Sequence, residues 1–431
     1  MIATAPVRDG APVADIDASL GEATLAQLVQ LFARHGDAFR VRAPLLDKDL
    51  LVLSHPDHVR HVLVQHQANF AKGIGIERVA ILLGKGLMTS DGDLWRTQRK
   101  AIQPAFHRTA VRAHIDDIVA ANRRLARRLA LASATPVDLT RELSAIALEV
   151  ILRAMFGATY DRLIANDNPF ALLSEESERD LRFAYTFRQL GGLLQREIDQ
   201  RRTGEGGADI LQTLIDARDR HSGEPMSDRQ VRDEVFTLIV AGHETTASAL
   251  AWTWYLIATH PHVAARLTEE IDGASDADRR QPDAQRFAYT QQVIAEALRM
   301  YPPGWLLTRR ARDAVSFAGI DIAAGDDVLV SPYLVHRHPA FWPRPDSFDP
   351  DRFTPAATAS RSRFCYLPFG LGPRACIGEN LALTEMLAHI VTLAYACRIE
   401  LIAGQTIEME AKVNLRPHPA IQVRATSRRS A

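Results

Sequence analysis

Cys376 is the one cysteine of three in this chain whose surroundings are set up for chemistry. It lies in Phe369-Gly370-Leu371-Gly372-Pro373-Arg374-Ala375-Cys376-Ile377-Gly378, directly ahead of a helical run from about Glu379 to Ala396. The backbone N–H groups that open a helix favour negative charge, so a thiolate placed there is stabilised and becomes a strong metal donor. Arg374 adds positive charge two residues earlier. Gly370, Gly372 and Gly378 permit tight turns and let a flat ligand approach the backbone. Cys365 and Cys397 read instead as small buried hydrophobes, and three unevenly spaced cysteines make neither a disulfide framework nor a Cys-x-x-Cys metal pair.

A second chemical feature sits in the middle of the longest predicted helix, Ser227 to about Thr259. Ser227 and Gln230 form a capping-box pattern at its start, and Pro261 lies just past its end. Val235, Leu238, Ile239, Val240, Ala249, Leu250, Trp252 and Trp254 cover most of its circumference, so it is expected to run through the interior. Its centre nevertheless reads Ala241-Gly242-His243-Glu244-Thr245-Thr246. A glycine, a carboxylate and two hydroxyls inside a buried helix call for something polar facing them, and a glycine beside back-bonding threonines lets the helix bend. An internal polar layer satisfied by neighbouring loops is the plain alternative.

The elements that must position these groups are mostly helical. Ala23 to Arg34 has helical apolar spacing, and Ala38 to Val41 and Leu50 to Leu53 read as strands of a small sheet. From Pro56 onward helices dominate. Lys72 to Asp93 reads as a glycine-rich loop region, and Arg202 to Gly207 and Asp272 to Asp283 as connectors. With 431 residues, 47% hydrophobic and 24% charged, the chain is globular rather than disordered, and 51 basic against 52 acidic residues demand no polyanionic or polycationic partner. No nucleic-acid partner is expected. Met1 to Leu20 carries Arg8, Asp9, Asp15 and Asp17 and lacks the apolar core of a signal peptide or anchor, so a cytoplasmic protein without a membrane anchor is expected.

Phe-x-x-Gly-x-Arg-x-Cys-x-Gly resembles the heme-binding signature of the cytochrome P-450 monooxygenases at every fixed position, soluble bacterial members included. Glu296-Ala297-Leu298-Arg299 resembles that family's Glu-x-x-Arg element, and Asp349-Pro350-Asp351-Arg352-Phe353 its Pro-Glu-Arg-Phe element, whose arginine joins the pair in a buried structural network. Trp95-Arg96-Thr97-Gln98-Arg99 resembles the Trp-x-x-x-Arg element of its third helix. The resemblance runs from about Asp37 to Val413. It implies a mainly α fold with small β-sheets (α+β), a long central helix over a buried heme. It also implies an arm over residues 1–22 and one catalytic domain over 23–431, with a small β-rich lobe and a large helical lobe.

Carried over residue by residue, the resemblance makes Cys376 the axial ligand of heme iron in heme b (iron protoporphyrin IX), with Phe369 and Gly370 in its loop. Arg374, Trp95, Arg99 and Arg309 would contact heme propionates, with Arg310 the alternative to Arg309. Thr245 would donate a hydrogen bond to dioxygen and Glu244 would bring protons from solvent, while Thr246 back-bonds to its helix and His243 packs locally. The implied reaction inserts one oxygen atom of O2 into a lipophilic molecule, a fatty acid, terpenoid or polyketide-like compound of secondary metabolism. Electrons would come from NAD(P)H through a separate ferredoxin or flavodoxin and its reductase. Arg99, Lys100, Arg361 and Arg363 are candidates for docking that donor, and the protein is expected to act as a monomer. Candidate lining residues are Ile74, Ile76, Ile81, Leu82, Leu83, Ile239, Ala241 and Gly304 to Leu307. A peroxygenase, a heme-thiolate isomerase or dehydratase, and a heme-based sensor are the alternatives. Gly157 to Thr186 is short for the family's substrate roof.

Overall fold

A computed structural model of the chain describes residues 11–17, 21–132, 135–165, 168–173, 181–204, 206–219 and 222–428. They fall into two compact units. One combines the described part of Met1–Arg78 with Gln292–Cys376 and Ile407–His418; the other combines Val79–Gln291 with Ile377–Thr406 and the described part of Pro419–Ala431. Among the described residues no helix is long and apolar enough to cross a membrane.

The first unit is built on a five-stranded sheet. Ala38–Ala43 pairs antiparallel with Lys48–Leu53, which pairs in parallel with Asp327–Val330; Leu307–Ala311 follows, and Phe70–Lys72 forms the far edge. Leu50, Leu51, Val52 and Leu53 are all fully buried. A strand apolar on consecutive residues must be covered on both faces, and it is. Leu50 and Val52 join one core cluster with Leu25, Leu28 and Trp305. Leu51 and Leu53 join another with Val59, Val62 and Leu367. The helix Glu22–His35 matches the expected apolar spacing, with Thr24, Leu25, Leu28 and Leu31 as its buried stripe.

The second unit is helical. Its central helix, Asp228–Thr259, has 32 residues and carries the capping box of Ser227 and Gln230 at its start. The cysteine helix, Glu379–Ala396, is held by a buried chain in which Trp254 Nε1 donates to His389 Nε2 (2.9 Å) and His389 Nδ1 meets Asn122 Oδ1 (2.6 Å). Burial pushes the His389 imidazole down to about 3, so it stays neutral and can accept from Trp254.

Three expectations about elements are corrected. The glycine-rich stretch from Lys72 to Asp93 contains the helix Ile76–Leu83, because its glycines lie outside that segment, Gly75 before it and Gly84 after it. The connector Asp272 to Asp283 contains the short helix Asp276–Arg280, started by a capping box of Ser275 and Asp278. The helix expected from Phe187 begins at Leu181. In the short stretch after Phe156, Thr159–Ile164 is helical and Ala171–Leu173 forms one 3-10 turn, while residues 174–180 lie outside the described ones.

Candidate active site

The loop around Cys376 belongs to the first unit and is built by backbone hydrogen bonds. Gly370 N donates to Leu367 O (3.0 Å), Ala375 N to Gly372 O (3.0 Å) and Cys376 N to Phe369 O (2.7 Å). Gly370 and Gly372 take φ of +70° and +73°, which side chains disfavour. Gly378 does not: it caps the cysteine helix at φ −85°, a conformation any residue adopts. Gly372 also lies against the helical turn His61–Gln65, where a Cβ would come within 2.0 Å of the Leu63 carbonyl oxygen. Gly372→Ala is therefore expected to lower stability by about 1–3 kcal/mol, read as a lower denaturation midpoint.

Cys376 is exposed, whereas Cys365 and Cys397 are buried, and burial pushes the Cys365 thiol up to about 11. An accessible sulfur on a loop fixed by its own backbone can meet a flat metal macrocycle; the two buried thiols cannot. Arg374 Nη1 donates to Phe70 O (2.8 Å), tying the loop to the edge strand Phe70–Lys72. Arg309 stands directly opposite Lys72 on the paired strand. Opposed residues of an antiparallel pair project from the same face, so the side chains of Lys72 and Arg309 are neighbours. The neighbouring Arg310 is engaged elsewhere, gripping Asp327 with Nε to Oδ1 (3.0 Å) and Nη2 to Oδ2 (3.1 Å). Lys72 was not singled out in the sequence, where it ends an unremarkable run; only strand pairing brings it beside Arg309.

Trp95, Arg99, Glu244 and Thr245 belong to the second unit. Trp95 is buried and Arg99 half-buried on the helix Gly92–Ile102. On the central helix, Ala241, Gly242, Glu244, Thr245 and Ala247 are half-buried within a run that is otherwise mostly buried. The polar middle thus coincides with returning accessibility. Gly242 packs on Ile151, where a Cβ would stand 3.1 Å from that side chain. His243 points into the protein and meets Ser144 Oγ at 2.9 Å; burial lowers it to about 4. Thr245 donates to Ala241 O (2.7 Å), a bond to the preceding turn of its own helix.

Other expected residues lie elsewhere. Leu83 and Ile239 are spent in the hydrophobic core and Ile81 is 87% exposed, because the helix Ile76–Leu83 turns its residues to different sides. Arg361, a candidate for docking the electron donor, is half-buried with its guanidinium 3.9 Å from the Trp342 ring centroid.

Comparison with known proteins gives the same direction as the loop. The family model described as cytochrome P-450 matches residues 18–185 and 182–424. Cyclooctatin synthase of Streptomyces melanosporofaciens is 34% identical over 416 residues, covering 91% of this chain and 89% of the relative. Cyclooctat-9-en-7-ol 5-monooxygenase of the same organism is 33% identical over 408 residues, covering 88% and 86%. Among solved structures, the cytochrome P-450DA heme domain superposes with a TM-score of 0.85 at 24% identity, covering 98% of this chain and 99% of that one, a likeness of fold.

Proposed function

The chain belongs to the cytochrome P-450 family of heme monooxygenases, and from that membership we propose that it hydroxylates or epoxidises a lipophilic small molecule with one atom of O2. NAD(P)H supplies the electrons through a separate ferredoxin or flavodoxin and its reductase. The observation that carries this reading is the loop that holds Cys376, closed by its own backbone hydrogen bonds and turned at Gly370 and Gly372. A single catalytic domain over 23–431, acting as a monomer in the cytoplasm, completes the proposal. For substrate we favour a terpenoid-like hydrocarbon or its alcohol. The support is a relative whose name states the oxygenation of cyclooctat-9-en-7-ol.

The cofactor proposed for this site is heme b. Cys376 would supply its thiolate sulfur to the iron; Phe369 and Gly370 shape its loop; Arg374, Trp95, Arg99 and Arg309 would hold the propionates, and Lys72 stands opposite Arg309. Bound heme supplies O2 activation and oxygen-atom transfer, favoured by electron donation from a thiolate. Glu244 takes protons from solvent and Thr245 hands them onward. To donate forward, the Thr245 hydroxyl has to turn its proton away from Ala241 O. Thr245→Ala and Glu244→Gln are each expected to lower product formed per NAD(P)H oxidised by about tenfold or more, since a positioned proton donor contributes on the order of 10²–10⁴. The measurement is product against cofactor consumed.

The proposal as a whole is tested by the reduced, carbon monoxide-bound difference spectrum of the purified protein. A Soret band displaced far to the red, as thiolate-ligated heme gives, supports it. Folded, heme-loaded protein without that band would overturn it.

A further inference from the structure

The segment entering the cysteine loop is pinned at three consecutive residues. Trp342 Nε1 donates to the Cys365 carbonyl (3.2 Å), Tyr366 Oη to the Ala295 carbonyl (2.9 Å), and the Leu367 amide to Nε2 of His336 (2.8 Å). Only the third depends on a side chain whose donor and acceptor roles can exchange. Because Nε2 accepts, the ring proton sits on Nδ1, which lies 3.1 Å from the Arg299 carbonyl and donates to it. Arg299 Nη1 returns a bond to the His336 carbonyl (3.0 Å). Beyond Leu367, the Leu367 carbonyl accepts from Gly370 N and the Phe369 carbonyl from Cys376 N, so two backbone bonds carry the position of Leu367 to the cysteine.

We propose that His336 is a positioning residue for the axial cysteine. Held as its Nδ1–H tautomer between Arg299 O and Leu367 N, its ring fixes where the loop Phe369–Cys376 begins and so how Cys376 presents its sulfur to the heme. The inference rests on the reading of Cys376 as axial ligand. The ring is fully buried and stacked on Tyr366 (centroids 5.3 Å apart, 29° between planes). Burial, then the cations Arg299, Arg337 and Arg361 around it, hold it neutral. Glu296, which also pairs with Arg352, answers Arg299 from one side, and Asp346 answers Arg337 from another. A second ring proton would set an N–H against the N–H of Leu367, so the loop attachment requires the neutral form.

Three proteins and two readouts test this. His336→Phe keeps a ring but neither hydrogen bond; His336→Gln reaches as far as Nε2 with a donor and an acceptor; His336→Asn stops short of Leu367. The first readout is the fraction of carbon monoxide complex showing the thiolate Soret band, and the second is hydrogen exchange at the Leu367 amide. Loss of the thiolate band and about tenfold faster exchange are expected for Phe and Asn, the factor for one lost hydrogen bond, with Gln rescuing both. A full thiolate band with unchanged exchange in Phe or Asn would overturn the proposal, as would Gln behaving like Asn. Imidazole ¹⁵N resonances of the wild-type reduced carbon monoxide complex decide it without substitution: a proton on Nδ1 of His336 supports it, and one on Nε2 overturns it. If the wild type itself lacks the thiolate band, the fault lies with the proposed function, whereas a normal wild type beside a normal His336→Phe protein faults only the role of His336.

Discussion

Cys376→Ser is expected to fold, to load heme and to lose the red-displaced band, with turnover falling at least about a thousandfold, on the order of 4 kcal/mol of barrier. The fold should survive for two reasons. Serine differs from cysteine by a single atom, so the replacement leaves no cavity. The bond that closes the loop, Cys376 N to Phe369 O, belongs to the backbone and remains. What is lost is the thiolate, because a serine hydroxyl does not ionise at neutral pH in its place. Cys365→Ser is the contrasting control: it changes a buried thiol away from the loop, whose hydrogen bond to the Ser362 carbonyl a hydroxyl can keep, and is expected to leave the spectrum unchanged. A Cys376→Ser protein that keeps both the band and its turnover would remove the thiolate from the reaction.

Arg299→Ala should do the opposite, sparing every atom of the cysteine loop and still costing about 3–5 kcal/mol of stability. Arg299 and Glu296 are both fully buried and form a two-pronged pair, Nε to Oε2 at 2.6 Å and Nη2 to Oε1 at 2.9 Å. Arg352 Nε stands 3.2 Å from Oε1, and the Asp349 amide donates to the same oxygen (3.0 Å). Truncating Arg299 strands Glu296 without its main counter-charge, and it also removes the donor to the His336 carbonyl. Against a usual total of about 5–15 kcal/mol this is a large share, and the yield of folded holoprotein should fall accordingly. Arg299→Lys should rescue poorly, since an ammonium cannot supply the two-pronged fork. Replacing both partners, Glu296→Leu with Arg299→Met, should be milder than Arg299→Ala alone because no charge is left stranded. Denaturant midpoints of the three variants check the ordering; a double variant less stable than Arg299→Ala would contradict it.

The features legible in the sequence were those written locally. The cysteine loop, the Glu296–Arg299 pair and the central helix with its Ser227–Gln230 box each sit within a few residues or one helical period. The glycines around Ile76–Leu83 mask that helix in the sequence because they flank it, and a glycine outside a helix costs it nothing. The Ser275–Asp278 box was present in the sequence and outweighed by the polar, turn-like composition around it. The back-bond of Thr245 is not written in its residue type, because which hydroxyl bonds the preceding turn depends on rotamer and packing. Lys72 and His336 were out of reach for a different reason. One matters through its strand partner Arg309, the other through Arg299 and Leu367, each pairing made by the tertiary fold and invisible to spacing along the chain.

The parallel pairing in the first unit also sets an order of events while the chain is being made. Lys48–Leu53 leaves the ribosome already able to form a hairpin with Ala38–Ala43, but its other edge waits for Asp327–Val330, with Leu50 opposite Asp327. The gap is 327 − 50 = 277 residues, which at about 5–20 residues per second is on the order of 15–55 s of translation. For that interval the most apolar strand of the protein, Leu50-Leu51-Val52-Leu53, keeps one row of amides and carbonyls open to any passing strand. Soluble yield in a host cell should therefore respond to holdase chaperones and to slower initiation, which thins nascent chains on each message. It should respond less to folding conditions applied after release.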